Sequence, residues 1–268
     1  MVSPNKFENE ILQSQIWFNK ITSHNFVKVG FDNAVKISQE LQTDDISKVT
    51  ADYIRAPNEL EFYIINVGRT LAHLLSMCEQ LVHAVLFLSA FSPTKRMKEA
   101  RITRSTHLQY NIENYLIRTQ SVHDRTLKLV NSVFHLGLQP RDCRHDTIAK
   151  NLHVKPTRIP GSLKNIRKLL LQYQQERNSV VHHEGYQDDK LRSLEMFYIA
   201  KEIEEGKGES SLDDFQYMGR RLTKEVVTQK MDEFDKFNGE LFSQLIILFD
   251  NLEKEFHQRM ILLKEKAG

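Results

Sequence analysis

SLKNIRKLLLQYQQERNSVVHHEG, residues 162–185, sets Leu163, Ile166, Leu170, Tyr173 and Val180 on a spacing of threes and fours. At about 100° per residue, that spacing is the core-facing seam of an α-helix. Ser162 stands where an N-cap belongs and Gly185 where a C-capping glycine belongs, so the stretch reads as one continuous helix. Two positions on the seam break the pattern: 177 is arginine and 184 is glutamate. A buried unpaired charge is costly, so each needs a partner or access to water. Violations of this kind gather at functional sites.

Outward from this stretch, the same periodicity predicts helices over 5–22, 31–41, 58–91, 93–136, 189–205 and 211–264, the last with a break left open. Ser92-Pro93 reads as N-cap and first helical residue, and Gly137 as a C-cap. The connection 138–161, punctuated by Pro140, Pro156 and Pro160, is expected to hold one short helix near 147–151. A connection of that length in a compact domain is often functional. Only 10 glycines and 6 prolines occur in 268 residues, and no alternating strand pattern or internal repeat is present. The fold expected is an all-α antiparallel helical bundle.

Cys78 and Cys143 are the only cysteines, too few for a disulfide framework or a paired-cysteine zinc site. The start MVSPNKFENEI lacks a signal peptide's basic and apolar regions, and the apolar window 81–91 is too short to span a bilayer. A cytoplasmic chain with no membrane partner is expected. No glutamate is followed three residues later by histidine, which removes the di-iron bundle signature. His183-Glu184 opens like a zinc-protease motif, but Gln187 stands where the second histidine is needed. GKGESS follows a helix rather than a strand, unlike a phosphate-binding loop. No metal and no cofactor are expected.

The net charge is only +2, yet residues 141–177 hold nine Lys/Arg against three Asp/Glu, and residues 188–214 hold four against nine. That segregation permits a local phosphate-binding face. Arg141, Arg144, Lys150, Lys155 and Arg158, in the long connection, are the candidate RNA contacts. On the helix itself, Asn178 and His182 are four residues apart and share a face beside Arg177. A cation, an amide and an imidazole suit phosphate binding and proton transfer near neutral pH. The competing structural reading is a helix end whose histidine answers the dipole and whose arginine pairs with an acid elsewhere.

Arg177-Asn178-Ser179-Val180-Val181-His182 resembles the Arg-polar-x-x-x-His motif of the HEPN superfamily (higher eukaryotes and prokaryotes nucleotide-binding). Residues 107–138 are similar to the preceding long helix of uncharacterised bacterial members, and the resemblance covers about residues 58–205. Arg118 to His123 and Arg101 to His107 satisfy the bare spacing and are read as chance matches. The resemblance implies a helical extension over 1–57, a HEPN-like core over 58–205, and a long C-terminal helix over 206–268 of the same domain. It further implies a metal-independent endoribonuclease of a bacterial defence or stress system, which cleaves RNA through attack by the 2′-hydroxyl. Arg177 would stabilise the charged transition state, His182 would transfer protons and Asn178 would orient the pair. His183 also fits the looser spacing, and with Glu184 is a candidate auxiliary residue. The implied partners are RNA, a second copy of the chain, and an antitoxin or defence-system protein. Toxin relatives that are nucleotidylated carry a tyrosine two places after the histidine; here that place is Glu184, so such regulation is not expected. The alternative is a non-catalytic HEPN module that binds nucleotide, RNA or protein.

Overall fold

In the computed structural model the described residues are 12–41, 58–182, 185, 186, 188–207 and 212–267, and every regular element among them is a helix. In chain order these are α1 (Gln13–Thr22), α2 (Asn25–Leu41), α3 (Glu59–Ser89), α4 (Lys95–Glu99), α5 (Arg104–Val133), α6 (His145–Ala149), α7 (Ile159–Leu170), α8 (Gln174–His182), α9 (Asp189–Lys207) and α10 (Leu212–Ala267). Short 3₁₀ turns occupy Pro140–Asp142 and Leu171–Tyr173. The fold is the expected all-α bundle. Residues 5–11 of the helix expected over 5–22 lie outside the described residues, and so do residues 208–211.

The chain divides into two compact units. Unit 1 comprises Met1–Glu79, Ser121–Leu170 and Gly239–Gly268; unit 2 comprises Gln80–Gln120 and Leu171–Asn238. In unit 1, α2 and α3 cross where side chains are smallest. A Cβ added at Gly68 would lie 2.4 Å from the Ala34 Cβ, so only glycine allows this approach. Phe26 packs on Phe249 and Phe256 at 5.6 and 5.7 Å, and Tyr63 stacks on Phe256 at 5.7 Å. The Tyr63 hydroxyl donates to the Val133 carbonyl at 2.9 Å, so the ring is buried with its polar end satisfied. In unit 2, Tyr115 lies flat on Phe234 with centroids 3.7 Å apart, and Tyr173 meets Phe237 edge-on at 4.7 Å. Buried Asn238 accepts from the Tyr115 hydroxyl at 2.9 Å and donates to the Leu81 carbonyl at 3.2 Å.

Several helix boundaries depart from sequence expectation. The helix expected over 93–136 is interrupted: Thr94, not Ser92, caps α4 by accepting the Met97 N–H at 3.3 Å. Arg101 then takes a left-handed φ of 54°, with Ile102 N–H bonded to the Met97 carbonyl in a Schellman closure. Thr103 restarts the chain by accepting the Thr106 N–H at 3.1 Å. At the end of α5, the left-handed closing residue is His135 (φ 52°), with Leu136 N–H on the Asn131 carbonyl; Gly137 (φ 67°) comes two residues later. Ser162 is not an N-cap but lies buried inside α7, which starts at Ile159 with Pro160 in its first turn, where its missing N–H is harmless. Long helix α10 runs unbroken for 56 residues.

The stretch expected as one helix over 163–184 is two helices. Leu163, Ile166 and Leu170 are buried as the seam predicts, and then a 3₁₀ turn intervenes. A 3₁₀ turn advances about 120° per residue instead of about 100°, so the apolar seam does not run on in register through these three residues. Within unit 2 the turn ends on Tyr173, whose ring seats against Tyr115, Phe234 and Phe237, with its hydroxyl on Glu233 Oε1 at 3.0 Å.

α3 is the one described helix long and apolar enough to cross a bilayer, but 56% of that apolar window is buried within the protein, as in a core helix.

Candidate functional site

α8 has no fully buried residue, so it is held by its ends rather than by a deep apolar face. Its entry is the Tyr173 anchor. Its exit turns on Gly185, whose φ of 88° suits glycine far better than any other residue. Ser179 donates to the Gly185 carbonyl at 2.7 Å, and Glu113 of α5 accepts the Tyr186 N–H at 3.0 Å. Gln109 donates to the same Glu113 oxygen at 3.1 Å. Asp188 then caps α9, accepting the N–H groups of Lys190 and Leu191, each at 3.0 Å.

On this helix Arg177 and Asn178 are half-buried and His182 is exposed in the last turn. Arg177 Nη1 donates to Asn178 Oδ1 at 3.1 Å, which fixes the guanidinium beside the amide. Arg177 Nε is buried with no hydrogen-bond partner among the described residues, and so is Glu176 Oε2. Buried polar atoms are normally paired, so two orphans on adjacent residues mark this turn as poorly served by its own fold. Arg177, Asn178 and His182 thus lie on one short helix, with the first two in contact. His183 and Glu184 lie outside the described residues.

Arg141, Arg144, Lys150, Lys155 and Arg158 are all exposed and belong to unit 1, whereas Arg177, Asn178 and His182 belong to unit 2. The two chance matches are engaged elsewhere. Arg118 Nε donates to Gln80 at 3.0 Å. Arg101 is an exposed helix-closing residue, while His107 lies between Arg104 Nη1 and Asn111 Nδ2, each at 3.2 Å. Burial and the Arg104 charge hold the His107 imidazole below its usual value.

Sequence reading missed a buried polar cluster behind the exit of α8. Lys230 of α10 donates to Glu233 Oε2 at 2.8 Å, lies 3.6 Å from Asp188 Oδ2, and sits over the Tyr186 ring at 5.4 Å. The Tyr186 hydroxyl donates to Asp188 at 3.1 Å. Burial would favour neutral Lys230, but Glu233 and Tyr186 outweigh it and raise the ammonium above its usual value. Burial pushes the Tyr186 hydroxyl up to about 12 against the pull of Lys230. Burial also works against an ionised Asp188, yet the Leu191 N–H, Lys230 and the Tyr186 hydroxyl together hold it below the usual carboxylate value. The missed signal was a lysine on the apolar stripe Val226, Val227, Phe234 and Phe237 of α10, the same kind of violation that drew attention to Arg177.

The family model of the HEPN_Cthe2314-like HEPN proteins matches residues 63–253, well over half of the chain and inclusive of Arg177, Asn178 and His182. Comparison with curated proteins and with solved structures gives no significant match.

Proposed function

The chain belongs to the HEPN_Cthe2314-like HEPN family, and from that premise we propose that it is a metal-independent endoribonuclease acting at Arg177, Asn178 and His182. The observation that carries this reading is the half-buried Arg177, oriented by Asn178 at 3.1 Å, with a buried Nε that no described residue satisfies. A guanidinium with donors to spare suits the equatorial oxygens of a phosphorane-like transition state. The RNA 2′-hydroxyl attacks its own adjacent phosphorus, the P–O5′ bond breaks, and the products are a 2′,3′-cyclic phosphate and a 5′-hydroxyl. His182, exposed in the last turn of α8, is the proton-transfer group, taking the 2′-hydroxyl proton or returning one to the leaving oxygen.

One imidazole serves one of those two positions at a time. A homodimer that apposes two copies of α8 supplies the second, because a two-fold interface repeats the same patch. The setting we infer is a cytoplasmic bacterial defence or stress system with an antitoxin or similar partner. A non-catalytic module that binds nucleotide, RNA or protein is the second reading, favoured by the fact that α8 brings one imidazole among the described residues.

The test is incubation of the purified chain with mixed RNAs in EDTA, with analysis of the product ends. Cyclic-phosphate products that disappear in His182→Ala and in Arg177→Ala, with the helical circular-dichroism spectrum retained, support the nuclease. Intact RNA at all protein concentrations favours the binding module. Mixing native and His182→Ala subunits at constant total protein tests the composite site. Activity should follow the square of the native fraction, and a linear dependence after verified exchange refutes it.

A further inference from the structure

α3 and α5 run antiparallel in unit 1, and their exposed side carries a group of cations that the proposed chemistry does not use. Phe62, Asn66, Arg69 and His73 follow one another at threes and fours along α3, so they form a single stripe. Arg125 and Lys128, three residues apart on α5, lie beside it. Arg125 Nε donates to the His73 carbonyl at 3.1 Å, which clamps the guanidinium across the neighbouring helix. Arg69 Nη2 donates to Asn66 Oδ1 at 3.3 Å, and Asn66 Nδ2 donates to Ser132 Oγ at 3.1 Å, which ties the next turn of the stripe to α5. Among the described residues, neither Arg125 nor Lys128 has a carboxylate within 4.0 Å. Burial, then Arg69, Arg125 and Lys128, lower the His73 imidazole, so each resolved charge acting on it is positive. At the end of the stripe the Phe62 ring is 51% exposed, with the His135 ring beside it at 6.5 Å.

A row of cations alone would suit any polyanion. An exposed aromatic on the same stripe narrows the choice, because single-stranded nucleic acid offers both a charged backbone and unpaired bases that stack on rings. The guanidiniums are held by hydrogen bonds before any ligand arrives, so less order is lost on binding. We propose that the α3–α5 face of unit 1 carrying Phe62, Arg69, His73, Arg125 and Lys128 binds single-stranded RNA, with the cations on the phosphates and Phe62 under a base. The choice of RNA rests on the proposed function; the binding surface itself lies outside the α8 motif.

The experiment uses the full chain and a fluorescent oligothymidylate, which lacks the 2′-hydroxyl and so cannot be cut by this chemistry. Binding is followed by anisotropy from about 50 to 200 mM KCl, the range over which phosphate contacts weaken strongly. Each phosphate contact on a single strand contributes about 0.7 to the slope of log affinity against log salt, so Arg125→Gln with Lys128→Gln should flatten it by about 1.4. Arg125→Lys should retain the slope. Phe62→Ala should weaken binding about fivefold or more with the slope unchanged, as expected for a lost stacking contact. Lys264→Gln with Lys266→Gln removes the same charge from the exposed end of α10 and should leave the slope unchanged.

An equal slope for the native chain and the α5 double variant overturns the inference, as does an equal loss in the α10 control. Binding of an anionic phospholipid vesicle or a phosphoserine peptide, but not the oligonucleotide, overturns it in favour of another anion. If the oligonucleotide binds as expected and no RNA is cut, the inference stands and the nuclease falls. If RNA is cut and the slope does not respond, the nuclease stands and the inference falls.

Discussion

Lowering the pH should destabilise this protein through two histidines. His123 of α5 is 7% exposed, and its Nε2 lies 3.3 Å from His145 Nδ1 at the start of α6. The ring centroids are 5.5 Å apart and the planes differ by 23°; a hydrogen bond between the two nitrogens needs one of them protonated and the other bare. One proton is accommodated there and two are not. Burial, His145 and Arg167 together overcome the opposing Asp124 carboxylate and take the His123 value from 6.5 to about 4. His145 is lowered too, by burial and Arg167, against Asp146.

The sign follows from proton counts. Between pH 6.5 and about 4 the unfolded chain holds a proton on residue 123 that the folded chain excludes, so stability falls as pH falls through that window. Evaluated between pH 7 and pH 5, the loss from His123 is about 2 kcal/mol, and screening through half-exposed His145 makes that an upper figure. Urea unfolding followed by circular dichroism at the two pH values measures it. His123→Gln keeps a hydrogen-bonding group toward His145 but removes the titration, so its stability should change less over the same range. An equal pH dependence in the native chain and the variant would falsify the proton-sharing pair.

Lys230→Met should destabilise by about 3 kcal/mol, because it leaves Glu233 and Asp188 without their buried cation; a loss below about 1 kcal/mol in the same urea titration would show that water already screens the pair. Gly68→Ala forces a Cβ to within 2.4 Å of the Ala34 Cβ and should cost about 1–3 kcal/mol or more, with Ala34→Gly as the compensating change. Gly185→Ala places a Cβ 3.0 Å from Glu113 Oε1 at a φ of 88° and should cost about 1–2 kcal/mol. It should reduce RNA cleavage more than it reduces helix content, and unchanged cleavage would show that the exit of α8 does not position the motif. Neutralising Arg141, Arg144, Lys150, Lys155 and Arg158 together should weaken RNA binding and flatten its salt dependence. An unchanged affinity and slope would show that these exposed charges serve only solvation.

Local chemistry carried much of this protein. The scarcity of glycine and proline, the threes-and-fours seam through Leu163, Ile166 and Leu170, and the Arg177–Asn178–His182 spacing follow from backbone preference and helical period, which act over a few residues. Left-handed closures at Arg101 and His135 escaped the sequence because neither is glycine; their cost of about 1–2 kcal/mol each is offset by hydrogen bonds from residues several positions away. The break at Leu171–Tyr173 escaped for a longer-range reason. Nothing in LQY forbids an α-helix, and the 3₁₀ turn ends on a tyrosine seated against Tyr115, Phe234 and Phe237, two of them more than sixty residues away. The same holds for Lys230 and for Arg125 clamped on His73. Sequence displays each charge, but only packing brings to it the carboxylates of Asp188 and Glu233 in one case and the carbonyl of a neighbouring helix in the other. Periodicity tells which side of a helix faces inward; what that side meets depends on contacts between distant segments, which no local pattern encodes.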